Sequence, residues 1–120
     1  MGNTVWVLKD SQVEDEWDHS LMIEYENQMN EISEELRIKK ISDFYDFSIL
    51  SEEFGVEEEL KYVNPSETIE VLLAIKVLLE KRTDNRIERK SELIEELEDC
   101  LNKITEAKNN NSKVRLVVIP

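Results

Sequence analysis

The segments with the clearest strand composition lie at opposite ends of this chain. Residues 4–8 and 114–119 are rich in β-branched and aromatic side chains, whereas the sequence between them is mainly helical in pattern. A lone terminal strand leaves its backbone N–H and C=O groups unpaired, so we expect the two ends to pair side by side. Two strands make a marginal sheet, which either covering helices or a third strand or second subunit must complete.

Turn residues are too few for an all-β fold. The 120 residues include two Gly and two Pro, whereas sandwiches and barrels need many tight turns. The length suits one domain with a single core. The sequence therefore predicts an α+β fold, with three main helices packed on a small sheet formed by the N- and C-terminal strands, in a single domain spanning residues 1–120.

The first predicted helix begins at Asp18 or Ser20 and ends near Leu36. Apolar side chains recur there at the helical period, at Leu21, Tyr25, Met29, Ile32 and Leu36. After it, we expect residues 41–60 to form short helical turns and loop, with acidic groups outside and Phe44, Phe47 and Phe54 inside.

Two long helices follow. Asn64, Pro65 and Glu67 form the capping pattern of a helix start, and residues 69–79 are apolar on nearly every side, which indicates a central core helix. The last helix is predicted from about Asp84 to Ala107. Its buried stripe is predicted at Ile87, Leu93, Ile94, Leu97, Cys100, Leu101 and Ile104.

The net charge of −13 lies entirely in the first half of the chain. Residues 1–60 hold 17 acids against four bases, whereas residues 61–120 hold eleven of each. A surface of one sign attracts cationic partners. It disfavours unaided binding to nucleic acid and to anionic membranes. We therefore expect a basic protein partner, with no nucleic acid and no membrane.

Residues suited to catalysis are few. Glu16 and His19 have the Glu-x-x-His spacing of di-iron proteins, but a second such motif is needed and the chain has one His, so we expect a surface or hydrogen-bonded His19. Cys100 falls on a predicted buried face, which disfavours a reactive thiolate. The glycines, at positions 2 and 55, form no phosphate loop. We predict no enzyme activity, no cofactor and no metal.

The sequence also bears on location and on one basic cluster. A single Cys, no signal-peptide pattern and no apolar run long enough for a bilayer favour a cytoplasmic protein. Five bases lie between the last two helices, at Lys81, Arg82, Arg86, Arg89 and Lys90. We interpret them as compensating helix dipoles and pairing with acids of the first half; the alternative is contact with an anion or partner.

Four segments resemble a small uncharacterised family of bacterial proteins: residues 41–47 (ISDFYDF), 62–65 (YVNP), 92–101 and 116–120. That family has no assigned activity, so the resemblance implies no catalytic residue. The aromatic-Pro start of the long apolar helix is also similar to that of small acidic immunity-type proteins.

Together these features favour an acidic protein-interaction module of the immunity or inhibitor type, which binds a basic partner through residues 10–59. The candidate contact residues are Glu14, Asp15, Glu16, Trp17, Asp18, Asp43, Phe44, Asp46, Glu52 and Glu53. Trp6 or Trp17 could anchor such an interface, although a buried Trp is commoner. The alternative is a small structural or housekeeping homodimer that pairs through an apolar patch or strand edge. An enzyme would need a pocket with perturbed carboxylates.

Overall fold

The computed structural model describes residues 3–82 and 87–120. Within them the α+β prediction is confirmed, since the fold combines five α-helices with one three-stranded sheet. In chain order the elements are β1 (Thr4–Lys9), α1 (Ser20–Glu24), α2 (Glu26–Leu36), a 3-10 turn (Ile41–Phe44), β2 (Tyr45–Asp46), α3 (Ser48–Glu53), α4 (Pro65–Lys81), α5 (Lys90–Asn109) and β3 (Val114–Ile119). In the same residues, no helix is both long enough and apolar enough to cross a bilayer.

The terminal strands pair as predicted. β1 runs antiparallel to β3, with Thr4 opposite Ile119 and Lys9 opposite Val114. β2 adds a short parallel partner on the other side of β3, so the strand order is β1-β3-β2. The third strand that a marginal pair requires is therefore supplied by the chain itself.

β3 is covered on both faces. Val114, Leu116 and Val118 belong to the main core, while Arg115 and Val117 are buried on the other face. Burial of the Arg115 charge is compensated by the Asp46 carboxylate, whose Oδ2 accepts a hydrogen bond from its Nη1 at 3.0 Å.

The first predicted helix has the expected ends but is broken at Tyr25. This residue has φ −103° and ψ 21°, outside helical values, yet its N–H still bonds to Leu21 O at 2.9 Å and its carbonyl accepts from Met29 N at 3.0 Å. α1 contacts β1 and α5, whereas α2 contacts α4 and the 3-10 turn. Because the two halves pack on different elements, the chain bends between them.

The predicted start of α4 is confirmed, because the Asn64 side chain accepts a hydrogen bond from Glu67 N at 3.2 Å. The prediction of a central core helix is correct for one face of α4 only. One face is buried, but Leu73 and Val77 on the other are 46% and 39% exposed. α4 thus packs on α5 with one face and leaves an apolar outer face exposed.

α5 begins at Lys90, later than predicted; Asp84 lies outside the described residues. Most of its predicted stripe is confirmed, namely Leu93, Leu97, Cys100 and Ile104, while Ile94 and Leu101 are partly buried and Ile87 is buried ahead of the helix.

Within residues 41–60 the prediction of buried aromatic side chains is correct for Phe44 and wrong for Phe47 and Phe54, which are 43% and 83% exposed. Tyr45 is buried in the core instead, in β2 opposite Leu116 of β3.

Candidate binding site around Trp17

The leader, residues 10–19, folds back along the outer edge of β1. Gln12 binds the Lys9 backbone, the Asp15 Oδ2 accepts from Val7 N at 2.8 Å, and His19 binds Val5 O at 2.7 Å through Nδ1. These partners satisfy the outward-facing groups of an edge strand that would otherwise be open to another chain. The leader therefore protects β1 and has a fixed position against it.

Trp17 projects outward from this leader. Its side chain is 65% exposed, so the more common outcome of a buried Trp does not hold here. Asp15, two residues before Trp17, accepts a hydrogen bond from Val7 N. Asp18, the residue after Trp17, accepts a hydrogen bond from Trp6 Nε1 at 2.8 Å. Because Asp15 and Asp18 are both hydrogen-bonded to residues of β1, Trp17 between them is held at the surface.

His19 forms the base of the site. The ring is buried, with Nδ1 2.7 Å from Val5 O and Nε2 2.7 Å from Asp99 Oδ2. Both ring nitrogens are therefore engaged, one with a backbone carbonyl and the other with a carboxylate. The expectation of a hydrogen-bonded His19 is confirmed, although the residue is buried rather than at the surface.

Lys103 joins the two carboxylates beside His19. Its Nζ lies 2.8 Å from Asp99 Oδ2 and also contacts Asp15. Burial raises the pKa of the Asp99 carboxyl, but hydrogen bonds from Lys103 and His19 outweigh it and leave that pKa below its usual value. Asp15 is therefore buried and paired with Lys103 inside the protein. This corrects its predicted role as a residue that contacts a partner.

A row of carboxylates on α5 faces Trp17. Glu92, Glu95, Glu96 and Asp99 recur at spacings of three, one and three, which places them on one helix face. With the leader they enclose a pocket of about 190 Å³, lined by Trp17, Asp18, His19, Glu92, Glu95, Glu96 and Asp99. The site thus combines five carboxylates with one exposed indole.

Glu96 also holds the start of α1. Its carboxylate accepts hydrogen bonds from Leu21 N and Met22 N, at 3.4 and 3.2 Å, and so satisfies two donors that a helix start leaves free. Burial raises the pKa of Glu96 more than these two bonds lower it. This inner carboxylate is therefore partly desolvated.

The α5 carboxylates were not among the sequence candidates. They belong to the half of the chain whose net charge is zero, where an equal number of bases cancels the acidic charge. The signal was present as an acidic stripe at helical spacing that flanks the apolar stripe of the same helix.

The other five sequence candidates lie elsewhere. Asp43, Glu52 and Glu53 are exposed, whereas Phe44 and Asp46 are buried and cannot touch a partner directly. Residues 14–18 lie along β1 and Asp46 belongs to β2, at opposite edges of the sheet with β3 between them. Residues 10–59 therefore do not form one contact surface.

Asp46 has an internal role instead. It accepts hydrogen bonds from Ser48 N at 2.7 Å and Lys61 N at 3.0 Å and pairs with Arg115. Burial raises the pKa of this carboxyl, but the three partners together lower it below its ordinary value. Beside it, Glu52 helps to line a cleft of about 260 Å³ with Arg115 in its wall.

The basic cluster follows our interpretation in part. Arg82 pairs with Glu35, an acid of the first half, but Arg89 pairs with Glu92 in the first turn of α5, and Lys90 donates to the Arg82 carbonyl. Arg86 lies outside the described residues.

Groups for metal or thiol chemistry are not assembled in the part of the chain that the structure describes. It contains no cluster of three or more His, Cys, Asp or Glu placed to hold a metal ion. Cys100 is buried as predicted, with its Sγ 3.5 Å from Met22 Sδ, and burial raises the pKa of the thiol well above its usual value.

Comparison of the whole chain with protein-family models, curated proteins and solved structures finds no match.

Proposed function

We propose that this protein is a non-enzymatic binding module for a basic partner protein, of the immunity or inhibitor type, and that the Trp17 pocket is the centre of its contact surface. The observation that carries the proposal is an indole, 65% exposed, that lines a pocket together with five carboxylates. Trp is the residue most enriched where binding energy concentrates in protein interfaces.

The chemistry of the pocket favours a cationic side chain, and Arg above Lys. A guanidinium stacks on an indole face and bonds to carboxylates through two parallel N–H groups, whereas an ammonium does neither so well. The volume of about 190 Å³ is smaller than the ~300–1,000 Å³ typical of small-molecule sites, and suits a single side chain of a partner.

The net charge of −13 supports the same proposal at longer range. A strongly acidic surface accelerates encounter with a basic partner, and screening by salt reduces that effect. Exposed Glu14, Glu16 and Asp18 extend the negative surface on the leader side of Trp17. Binding would mask a basic surface of the partner without chemical change to either protein.

The test is affinity capture from an extract of the source organism with the wild-type chain, Trp17→Ala and Phe54→Ala. Phe54 is a matched control because it is an exposed aromatic residue on a different segment. We expect wild type and F54A to enrich the same basic protein, W17A to lose it, and binding of the purified partner to weaken steadily between about 50 and 300 mM salt. Equal capture by W17A, or binding indifferent to salt, contradicts the proposal.

A further inference from the structure

The outer face of α4 is a second surface with no covering element in the described residues. Leu73 and Val77 are 46% and 39% exposed, and together with Ala74, Leu78 and Leu36 of α2 they line an open apolar groove of about 460 Å³. Exposed Glu70 and Lys81 stand at its two ends. This groove shares no lining residue with the Trp17 pocket.

The pattern of this face is self-complementary. Its six α4 positions are 70, 73, 74, 77, 78 and 81, and they are symmetric about the point between Ile75 and Lys76. If a second α4 runs antiparallel over it, Glu70 lies level with Lys81 of the second copy and Ala74 level with Val77. A two-fold dimer requires this kind of match, in which one patch meets itself.

The spacing also suits helix pairing. Glu70, Ala74, Val77 and Lys81 follow intervals of four, three and four, the seam of two helices packed side by side. Ala74, near the centre, is small and allows close approach, while Leu73 and Leu78 flank the seam. The oppositely charged ends set the direction, because a parallel arrangement would place Glu70 beside Glu70 and Lys81 beside Lys81.

We therefore propose that the chain forms an antiparallel two-fold homodimer through the α4 outer face. Another route to self-association, pairing through the outer edge of β1, is already blocked by Asp15, His19 and Gln12 of the same chain. The dimer is independent of the proposed partner binding, and it carries two Trp17 pockets.

The test is sedimentation equilibrium of the full chain from 1 to 300 µM in about 150 mM salt, which screens the repulsion between two acidic subunits. The variants are Glu70→Lys, the double reversal E70K/K81E, and Glu53→Lys as a control for the change in net charge. Circular dichroism and thermal melts establish that each variant is folded.

We expect wild type to dimerise, E70K to weaken dimerisation about tenfold by opposing like charges at both ends of the seam, and the double reversal to restore it to within about threefold. E53K, which equally reduces the net negative charge, should leave dimerisation unchanged or stronger. A wild type that stays monomeric at every concentration overturns the proposal. So does a double reversal as weak as E70K, since the charges would then not face each other.

Discussion

His19 and Asp99, eighty residues apart in the sequence, are joined by a 2.7 Å hydrogen bond from Nε2 to Oδ2. The other ring nitrogen binds Val5 O, so one side chain connects the leader, β1 and α5. Lys103 extends the connection to Asp15, which holds the leader against β1. The exposed position of Trp17 depends on this buried network.

Loss of the His19 ring should destabilise the protein. His19→Ala leaves the Val5 carbonyl without its side-chain partner and removes one of the two partners of the partly buried Asp99, which costs about 2–3 kcal/mol of the free energy of unfolding. Urea denaturation measures the loss, and Glu95→Gln, a change at an exposed carboxylate of the same region, serves as control with an effect below about 0.5 kcal/mol. A loss in H19A as small as that of E95Q would contradict the network.

The Asp46–Arg115 pair should behave as a coupled unit. Asp46→Ala leaves a buried guanidinium without its counter-charge, and a loss of about 3–5 kcal/mol is expected. Asp43→Ala is the control, because this nearby carboxylate is exposed. The double variant D46A/R115M should be more stable than D46A alone, since the unpaired charge is gone; strictly additive losses in the double-mutant cycle would show that the two residues are independent.

The same carboxyl makes stability depend on pH. Because the pKa of Asp46 is lower in the folded protein than in the unfolded chain, its contribution is complete above the unfolded value of about 3.9 and is lost as pH falls through the folded value. The difference in unfolding free energy between wild type and Asp46→Asn should therefore be constant from pH 7 to 5 and shrink below about pH 4. A difference that grows on acidification would have the wrong sign.

Glu96 predicts the opposite trend. The pKa of Glu96 is higher in the folded protein than in the unfolded chain. The stability that its protonated form contributes is therefore complete at low pH and is lost as pH rises through the folded pKa. Glu96→Gln keeps an oxygen for Leu21 N and Met22 N without a buried charge. We expect the stability of E96Q relative to wild type to be more favourable at pH 7 than at pH 4. Glu96→Ala, which removes the acceptors, should be destabilised at both, and an E96Q effect that falls with pH contradicts the argument.

Cys100 should be chemically protected in the folded state. It is buried in the core, and burial raises the pKa of the thiol, so little thiolate is available to react. A colorimetric thiol reagent at pH 8 should label the native protein at least about a hundredfold more slowly than the protein in 6 M guanidinium chloride, because a buried thiol reacts only when the structure opens. Equal rates would place Cys100 at the surface.

Local signals allowed some elements to be predicted closely. The start of α4 depends on Asn64, Pro65 and Glu67, which lie within one helical turn, and the ends of the first helical region depend on its apolar period. β2 could not be predicted in this way. Two residues carry no period, and Tyr45–Asp46 becomes a strand because β3 lies beside it and Arg115 pairs with Asp46.

The candidate site was predictable only in part. An acidic contact surface with Trp17 was expected from the first half of the chain, and Trp17 is indeed exposed. Asp15 and Asp46 look in the sequence like their exposed acidic neighbours, yet both are buried. What separates them is a partner elsewhere in the chain, Lys103 for Asp15 and Arg115 for Asp46.

By itself, then, the sequence determined the α+β class, the pairing of the terminal strands and most helix positions, because these follow from side-chain periodicity and from capping within a few residues. Tertiary structure alone decided which carboxylates are internal and which α5 carboxylates meet Trp17. The reason is energetic: burying a charge is costly unless an opposite charge or hydrogen-bond donor meets it, and here those groups are brought together from positions up to eighty-eight residues apart.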